Sequence, residues 1–406
     1  MTQRLRFGGF IAPYHAPHDN PSLALHRDLE LTVLLDRLGF DECWIGEHHS
    51  AAFETIGSPE LFIATAAERT RSIRLGTGVV SLPYHNPLML AERINYLDHV
   101  TRGRVMLGVG PGALASDALM MGIPIAKQRD WMDEALQVLI PLMRGETVSR
   151  ETEWFKLNQA RLQMTPWSQP SVEMVVASLT SPAGATAAGR HGIGLLSLQA
   201  LGGQARKSLA KNWAVAEQIA AENGKSVDRK NWRLVLQMHL ASTREEALAD
   251  CRFGLASWID YFKHVANIPV LPEGVTPGAE VEAFAATEAA VIGTPDDAIA
   301  AIERLQAETG GFGCVLLLAH DWADSQATAK SYELFARYVI PRFQGLNANR
   351  EASLKWVMDN RRVLGPQARQ ALADRFAQHA EKHGMENLDP DLMQAVGAAV
   401  PPADKL

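Results

Sequence analysis

The feature of this 406-residue chain that most limits its fold is an alternation of short apolar strands with amphipathic helices. Eight segments are predicted as strands, several of them apolar at nearly every position: 4–11, 41–46, 73–80, 104–109, 172–177, 194–198, 232–241 and 313–319. A helix pattern follows each strand: 23–38, 59–70, 88–100, 128–143, 183–191, 203–222, 243–265 and 324–343. Parallel strands need such crossovers, and strands buried on both faces are typical of α/β folds. Eight repeats therefore predict an α/β fold, a TIM-like (β/α)8 barrel.

Three stretches lie outside the eight units. Residues 146–170 have few apolar anchors and are predicted to form an inserted hairpin or loop. Residues 267–290 are rich in Pro, Gly and Glu and are predicted to be a mobile segment, either a lid that closes over the site or a passive surface loop. Residues 346–406 are expected to be a C-terminal helical extension that frays at its end. The predicted domains are a barrel over 1–345 and this extension over 346–406.

Composition excludes several classes of function. The chain has 39 Lys and Arg against 46 Asp and Glu, so its net charge of −7 argues against nucleic-acid binding. No run of 18 apolar residues is present, so no membrane span is expected. The three cysteines, Cys43, Cys251 and Cys314, are odd in number and far apart. This pattern excludes a disulfide framework and favours a reduced, cytoplasmic location.

Histidines recur after the predicted strands, where a barrel builds its active site. Glu47-His48-His49 follows the second strand, and a histidine in such a place can carry a proton near neutral pH. Adjacent histidines point in different directions and no HExxH motif accompanies them, so no metal site is predicted. We expect His48 to be functional and His49 to be a hydrogen-bonded structural residue.

Two further segments follow strands. The glycine-rich run 108–112 lacks the third glycine of a dinucleotide loop, and we interpret it, with Gly110 at its centre, as a tight turn that a flat ring can approach. Ser178, Leu179, Thr180 and Ser181 precede a helix whose first turn suits Pro182. Hydroxyls and a helix N-terminus form an anion site, although Ser181 as a simple N-cap explains the same residues.

Taken together, these segments resemble the bacterial luciferase-like flavin monooxygenases. The resemblance runs from about residue 4 to about residue 343. It rests on four stretches: GFDECWIGEHH (39–49), GTGVVSLPYHNPLMLAERINYLDHVTRGRVMLGVGPG (76–112), VVASLTSPAGATAAGRHG (175–192) and VIGTPDDAIAAIERL (291–305). The loop 110–122 and the segment AHDWAD (319–324) resemble those of proteins described as limonene monooxygenases, and the diketocamphane Baeyer–Villiger enzymes have a similar layout.

The resemblance implies chemistry and partners. Such enzymes bind reduced FMN (FMNH2), delivered by a separate NAD(P)H:flavin reductase, and use O2 to form a flavin C4a-(hydro)peroxide that oxygenates an organic substrate. An apolar site predicts a small terpene, ketone or aldehyde as substrate. A homodimer is also expected. Two alternatives remain open: a deazaflavin (F420)-dependent dehydrogenase on the same barrel, and a non-catalytic flavin-binding protein.

The resemblance also implies roles for residues. His48 matches the catalytic histidine, and Gly78–Val79 matches a non-prolyl cis peptide beneath the flavin ring. Asp117 matches an acidic residue near the flavin, and the segment from Ser178 to Ser181 matches the phosphate-binding segment. The chain departs from the family at Pro111, where members often carry an arginine. We expect Arg190 or helix N-termini to meet the phosphate charge instead.

Overall fold

The protein is described by a computed structural model that covers residues 4–384, apart from residues 13, 267, 269 and 277 and the side chain of Ala380. The strands are β1 Arg6–Ile11, β2 Glu42–Ile45, β3 Arg74–Thr77, β4 Val80–Ser81, β5 Val105–Gly110, β6 Val148–Glu151, β7 Lys156–Ala160, β8 Met174–Ser178, β9 Gly194–Ser197, β10 Trp232–Leu236, β11 Met238–Leu240, β12 Val291–Gly293 and β13 Cys314–Ala319. The helices up to β10 are α1 Pro21–Leu38, α2 Pro59–Arg69, α3 Pro87–Thr101, α4 Ala115–Met120, α5 Gln128–Leu142, α6 Ala183–His191 and α7 Gly203–Glu222. Those beyond β10 are α8 Arg244–Cys251, α9 Leu255–His264, α10 Glu280–Ala286, α11 Pro295–Thr309, α12 Ser325–Leu334, α13 Ile340–Gln344 and α14 Ala348–His383.

Eight parallel strands close into a barrel. Neighbouring strands pair in the order β3-β2-β1-β13-β10-β9-β8-β5, and pairing of β3 with β5 completes the ring. The short β4 continues beyond β3 and also pairs with β5. The predicted barrel is therefore confirmed, and each of the eight predicted strands contains one strand of the barrel. Because all eight strands run in the same direction, their carboxyl ends lie together at one mouth.

The predicted insertion at 146–170 contains an antiparallel hairpin, β6–β7. The helix predicted over 243–265 is wrong as a single element, because two helices, α8 and α9, stand there. Gly254 separates them, and a Cβ at this position would lie 1.8 Å from the carbonyl oxygen of Asp321. The tight approach of two backbones therefore breaks the helix. The helix that returns the chain to β13 is α11, which begins with a capping box at Thr294.

Residues 267–290, which the sequence predicted to be mobile, include a helix. This helix is α10, whose Val281 and Phe284 are buried. Phe284 packs edge-on against Trp322, with ring centroids 5.4 Å apart. This segment links α9 to β12, within the long connection between β10 and β13. Pro269 and Pro277 lie outside the described residues.

The described residues divide after Gln344 into two compact units. The second unit contains the 36-residue helix α14, which confirms the helical C-terminal extension. The frayed end predicted near Pro401 lies outside the described residues. None of the described helices is long and apolar enough to cross a membrane.

Candidate active site

A cavity of about 890 Å³ opens at the mouth of the barrel. Its walls come from the carboxyl ends of the strands and from the segments that follow them, where barrels place their chemistry. Apolar side chains in its lining include Phe10, Leu198, Trp258, Phe262 and Leu318. His48, Glu54 and three arginines also line it. The volume is large for a small-molecule site, for which about 300–1,000 Å³ is usual.

His48 lies in this cavity between two carboxylates. Its Nδ1 is 3.1 Å from Oδ2 of Asp117, and its Nε2 is 3.4 Å from Oε2 of Glu54. Asp117 also accepts a hydrogen bond from the backbone N–H of His49. Ala51 and Ala52 both have φ of 68°, and this left-handed turn brings Glu54 back towards His48. The imidazole is thus held from both ring nitrogens.

The charges around His48 favour its protonated form. Burial disfavours a charged imidazole, but the attraction of Glu54 and the contact with Asp117 outweigh it and raise the pKa of His48. Burial raises the pKa of Glu54, and it would raise that of Asp117 too, but hydrogen bonds from His48 and Ser50 lower the latter. Asp117, whose pKa is lowered, is therefore the carboxylate that keeps its negative charge beside His48.

Glu54 also contacts the segment that follows β10. The hydroxyl of Tyr261, on α9, donates a hydrogen bond to Glu54. Tyr261 packs against Phe53 and Tyr14, with ring centroids 5.0 and 5.4 Å away. Both Glu54 and Tyr261 line the cavity. Helix α9 is thereby joined to the residue that faces His48.

His49 has a different environment. Its Nε2 is 2.9 Å from Oε1 of Glu47, which is also 2.6 Å from Nε2 of His85. Glu47 accepts a third hydrogen bond from the backbone N–H of Ser81. This carboxylate is 4% exposed and joins the segments after β2 and β4. His49 therefore has the contacts of the structural residue that the sequence predicted.

The Gly78–Val79 peptide bond is cis, as the resemblance implied. Both residues line the cavity between β3 and β4. Gly110 lies behind them, and a Cβ at that position would be 2.6 Å from Cγ2 of Val79. The absence of a side chain at Gly110 thus lets Val79 occupy its place in the cavity wall.

The segment 178–181 leads from β8 to α6. Two of its carbonyls, those of Leu179 and Thr180, accept hydrogen bonds from the buried side chain of Asn212 on α7. The helix begins after Pro182, which is the N-cap residue, and no side chain caps it. Ser181 is therefore not the N-cap, which was the simpler of the two explanations. The N–H groups of the first turn remain available to an anion.

Three arginines lie at this end of the cavity: Arg129 on α5, Arg150 on the inserted hairpin and Arg190 on α6. Arg190 is paired with Asp133 at 2.8 Å. Within the part of the chain that the structure describes, the side chains of Arg129 and Arg150 have no ion-pair or hydrogen-bond partner. The acidic residues Asp130, Asp133 and Glu134 line the cavity as well, but Asp133 pairs with Arg190 and Glu134 accepts a hydrogen bond from Trp154. We refer to Arg129, Arg150 and the first turn of α6 as the cationic end of the cavity.

The comparison with known families decides the family of this protein. The family model described as luciferase-like monooxygenase matches residues 5–311. The chain belongs to the luciferase-like monooxygenase family. The predicted identity as a flavin-dependent monooxygenase is thereby confirmed.

Curated relatives and solved structures agree with this assignment. The monooxygenase is 44% identical to limonene 1,2-monooxygenase of Rhodococcus erythropolis, over 86% of this chain and 92% of the relative. It is 43% identical to 4-hydroxyprotoasukamycin monooxygenase of Streptomyces nodosus subsp. asukaensis, over 90% of this chain and 100% of the relative. A type II Baeyer–Villiger enzyme was solved with FMN: the oxygenating constituent of 3,6-diketocamphane monooxygenase of Pseudomonas putida. It matches with a TM-score of 0.69 and 26% identity, over 84% of this chain and 98% of that chain.

The structure brings most of the predicted site residues of this monooxygenase to one cavity. Those that line it are His48, Gly78, Val79, Ser178, Leu179 and Ser181. Gly110, Asp117 and Thr180 do not line it, although Asp117 contacts His48 and Gly110 supports Val79. The roles of all nine in cofactor binding and catalysis stay predictions.

Apolar residues after β5 and β9 differ in their exposure. Leu114 and Leu198 line the cavity, whereas Met120 and Met121 are 70% and 38% exposed. The sequence analysis missed Glu54, Gln237 and the cavity face of α9, which presents Trp258 and Tyr261. An apolar stripe at helical spacing over 255–262 was the available signal for α9. Gln237 falls within the predicted strand 232–241, but nothing in the sequence shows that it lines the cavity, and no sequence signal distinguishes Glu54 from a surface residue.

A group of possible metal ligands also lies outside the cavity of the monooxygenase. Ligand atoms of His15, Asp19 and Asp321 all lie within 4.8 Å of one another. The residues already form ion pairs, because His15 contacts Asp321 at 2.9 Å and Arg27 pairs with Asp19. Paired charges account for this cluster, which joins the segments after β1 and β13.

Proposed function

We propose that this monooxygenase uses reduced FMN and O2 to oxygenate a small apolar organic substrate, such as a terpene, a ketone or an aldehyde. In this proposal a separate NAD(P)H:flavin reductase supplies the reduced FMN. One observation carries the proposal: a single cavity has a cationic end, a central histidine between carboxylates and an apolar wall. Each of these parts suits one portion of the proposed cofactor and substrate.

The cationic end suits the phosphate of FMN. Arg129 and Arg150 are unpaired within the described residues, and the first turn of α6 is uncapped. Arginines and helix N-terminal N–H groups are the usual donors to a phosphate. In this proposal Arg129, Arg150 and the first turn of α6 take the role of the arginine that family members often carry at the position of Pro111. The prediction that Arg190 meets this charge is weakened by its pairing with Asp133.

The middle of the cavity suits the ring of a flavin. Gly78 and Val79 present backbone and a small apolar side chain there, so a flat ring has no large side chain to displace. When bound, reduced flavin supplies the electrons that activate O2. The protein's part is to bind and orient this group and to exclude water from it.

His48 is proposed as the catalytic residue beside the ring. With a raised pKa, it holds a proton that it can donate in a hydrogen bond to a group developing negative charge. Asp117 fixes the orientation of the imidazole through Nδ1, which leaves Nε2 towards Glu54 and the cavity. Both assignments are proposals for this chain.

The apolar wall suits an apolar substrate and keeps water from the oxygen chemistry. Helix α9 and the segment after it contribute to that wall through Trp258, Phe262, Ile268 and Val270. This supports the expectation that residues 267–290 close the site. The substrates in the names of the relatives, limonene and a diketocamphane, are terpene-type molecules, which supports the same substrate class. The expected homodimer stays a prediction.

Product analysis tests this proposal. The protein is incubated with a flavin reductase, FMN, NADH and, separately, a cyclic terpene, a cyclic ketone and a long-chain aldehyde. We expect at least one product that gains an oxygen atom and requires FMN. A parallel reaction replaces FMN with reduced deazaflavin. Turnover with deazaflavin alone would show a dehydrogenase, and tight binding of oxidised FMN without any turnover would show a flavin-binding protein.

A further inference from the structure

An amide without a hydrogen-bond partner lies in the wall of the cavity. Gln237 is the single residue between β10 and β11, lines the cavity and is only 8% exposed. Its Oε1 is buried, and among the described residues no group hydrogen-bonds to the carboxamide. Its backbone is fixed, because its carbonyl accepts from the N–H of Val291 at 2.9 Å. Nε2 is not among the buried atoms and has no hydrogen bond within the described residues, so it is the atom of this amide that a ligand in the cavity can reach.

The surroundings of Gln237 are largely apolar. The parallel register of β10 and β13 pairs Leu236 with Leu317, so the next residues, Gln237 and Leu318, lie side by side at the mouth. Leu318 lines the cavity, as does Trp258 on α9. Gln199, which follows the neighbouring strand β9, is a second amide in the lining. A few polar groups in a largely apolar wall select what binds, because they fix the orientation of a ligand.

Gln237 stands across the barrel from the residues proposed to hold the flavin ring. In the ring of eight strands, β10 lies four strands from β3 in either direction, and Gly78–Val79 follows β3. The phosphate segment follows β8, which is two strands from each. Gln237 is therefore on the side of the mouth away from the residues proposed for the flavin ring, where a substrate can contact it.

We propose that Gln237 is a substrate-binding residue whose amide hydrogen-bonds to the carbonyl oxygen of an apolar ketone or aldehyde. Because Oε1 is buried, the amide presents its Nε2 side to the cavity, and an N–H group donates to a carbonyl. The site then selects a carbonyl compound over a hydrocarbon of the same carbon skeleton. This proposal rests on the proposed function, since it assigns the other side of the cavity to FMN.

The test replaces Gln237 with methionine, which keeps the length of the side chain and removes the hydrogen bond. Gln218→Met, on the exposed face of α7, is the matched control. A cyclic ketone and the cyclic hydrocarbon of the same skeleton are compared as substrates in coupled turnover. Binding of the ketone is measured separately by tryptophan fluorescence, without turnover, because Trp258 lies in the wall. Circular dichroism and thermal unfolding establish that each variant is folded.

We expect kcat/KM for the ketone to fall roughly 10- to 100-fold in Gln237→Met, which is the effect of losing a buried hydrogen bond, while the hydrocarbon changes little. Affinity for the ketone should fall in parallel, and affinity for reduced FMN should not change. An equal fall for both substrates overturns the proposal. So does weaker binding of reduced FMN with unchanged binding of the ketone, because Gln237 would then contact the cofactor.

Gln237→Glu separates donation from acceptance when binding is measured across pH, since a protonated carboxyl can donate a hydrogen bond whereas a carboxylate only accepts. We expect the variant to bind the ketone at low pH and to lose this binding as the carboxyl ionises, and native affinity at high pH would overturn the assignment of a donor. Failure of the proposed function is distinguishable from these results. In that case the native protein oxygenates no substrate with FMN, while the fluorescence comparison still reports whether Gln237 binds the carbonyl.

Discussion

The two ends of the barrel both contain buried charged groups, but the two ends differ in how completely their polar and charged groups are paired. At the amino ends of the strands, Arg233 has no exposed surface and its Nε donates to Glu42 at 2.7 Å. Its Nη2 donates to Glu173 at 2.6 Å, and Arg6 and Arg74 complete the pairing of these two carboxylates at 2.8 and 2.6 Å. Trp44 also donates to Glu42 at 2.9 Å. Every charge in this network has an opposite charge beside it.

At the carboxyl ends, polar groups are left over. Within the described residues Gln237 has no partner for its amide, and Arg129 and Arg150 have none for their guanidinium groups. His48 differs from them, because each of its ring nitrogens has its own carboxylate. The comparison teaches that the paired charges at the amino ends stabilise the barrel, whereas the unpaired groups that line the cavity are the ones that a ligand can contact.

The largest expected effect is on the satisfied end. Arg233→Met leaves Glu42 buried without its main partner, which costs roughly 3–5 kcal/mol in the free energy of unfolding. Urea denaturation measures this loss. Arg342→Met is the control, because Arg342 pairs with Glu303 on the surface and such pairs are worth about 0–1 kcal/mol. Equal stability of the two variants would contradict a structural role for the network.

The next effect is on the mouth. His48→Ala should keep the fold and reduce coupled oxygenation roughly 10²–10⁴-fold, the usual effect of removing a general acid–base group. NADH oxidation should then yield hydrogen peroxide instead of product. His49→Ala is the matched neighbour: it removes a hydrogen bond to buried Glu47 and should lower stability by about 1–3 kcal/mol with less effect on coupling. Full coupled activity of His48→Ala would remove His48 from the catalytic residues.

A smaller effect is expected at the cationic end. Arg129→Gln and Arg150→Gln should each weaken binding of reduced FMN about 3- to 10-fold, because each removes one partly solvated charge from the phosphate. Anaerobic titration measures this affinity. Riboflavin has no phosphate, so its affinity should be the same in native and variant proteins. Arg161→Gln, an exposed arginine that does not line the cavity, controls for net charge. Equal losses for FMN and riboflavin would rule out phosphate binding.

The smallest effect is a shift with pH. The groups that face His48 are Asp117, Glu54 and, at longer range, Glu47. The attraction of these carboxylates raises the pKa of His48. The ion pairs of protonated His48 therefore stabilise the folded protein fully below the ordinary histidine pKa, and this stabilisation is lost as pH rises through the raised pKa of His48. Glu54→Gln removes one attraction and should move the break in the activity–pH profile to lower pH. An unmoved break would mean that Glu54 does not act on His48.

The sequence predicted the frame of the molecule better than its cavity. Apolar runs that are buried on both faces located all eight barrel strands, because that pattern has one main structural cause. The break between α8 and α9 was not predictable, since it depends on the approach of Gly254 to Asp321, 67 residues later in the chain. Arg150 was not predictable as a cavity residue, because only the fold brings the inserted hairpin to the mouth.

The same limit applies to the chemistry. His48 was recognisable because it follows a strand and matches a family motif. Gln237 was not, because the lack of a hydrogen-bond partner is a property of its surroundings and not of its sequence position. Residue type and position therefore identified the expected catalytic residue, whereas the selectivity of the site depends on contacts that only the folded chain defines.

The most direct test of the account is a single turnover with isotopic oxygen. The protein is loaded anaerobically with chemically reduced FMN, without reductase or NADH, and mixed with ¹⁸O2 and a cyclic ketone. The account predicts a product that carries one ¹⁸O atom, formed in an amount limited by the reduced FMN and nearly absent with His48→Ala. A product without ¹⁸O, or one formed equally well without reduced FMN, would contradict a monooxygenase built at this end of the barrel.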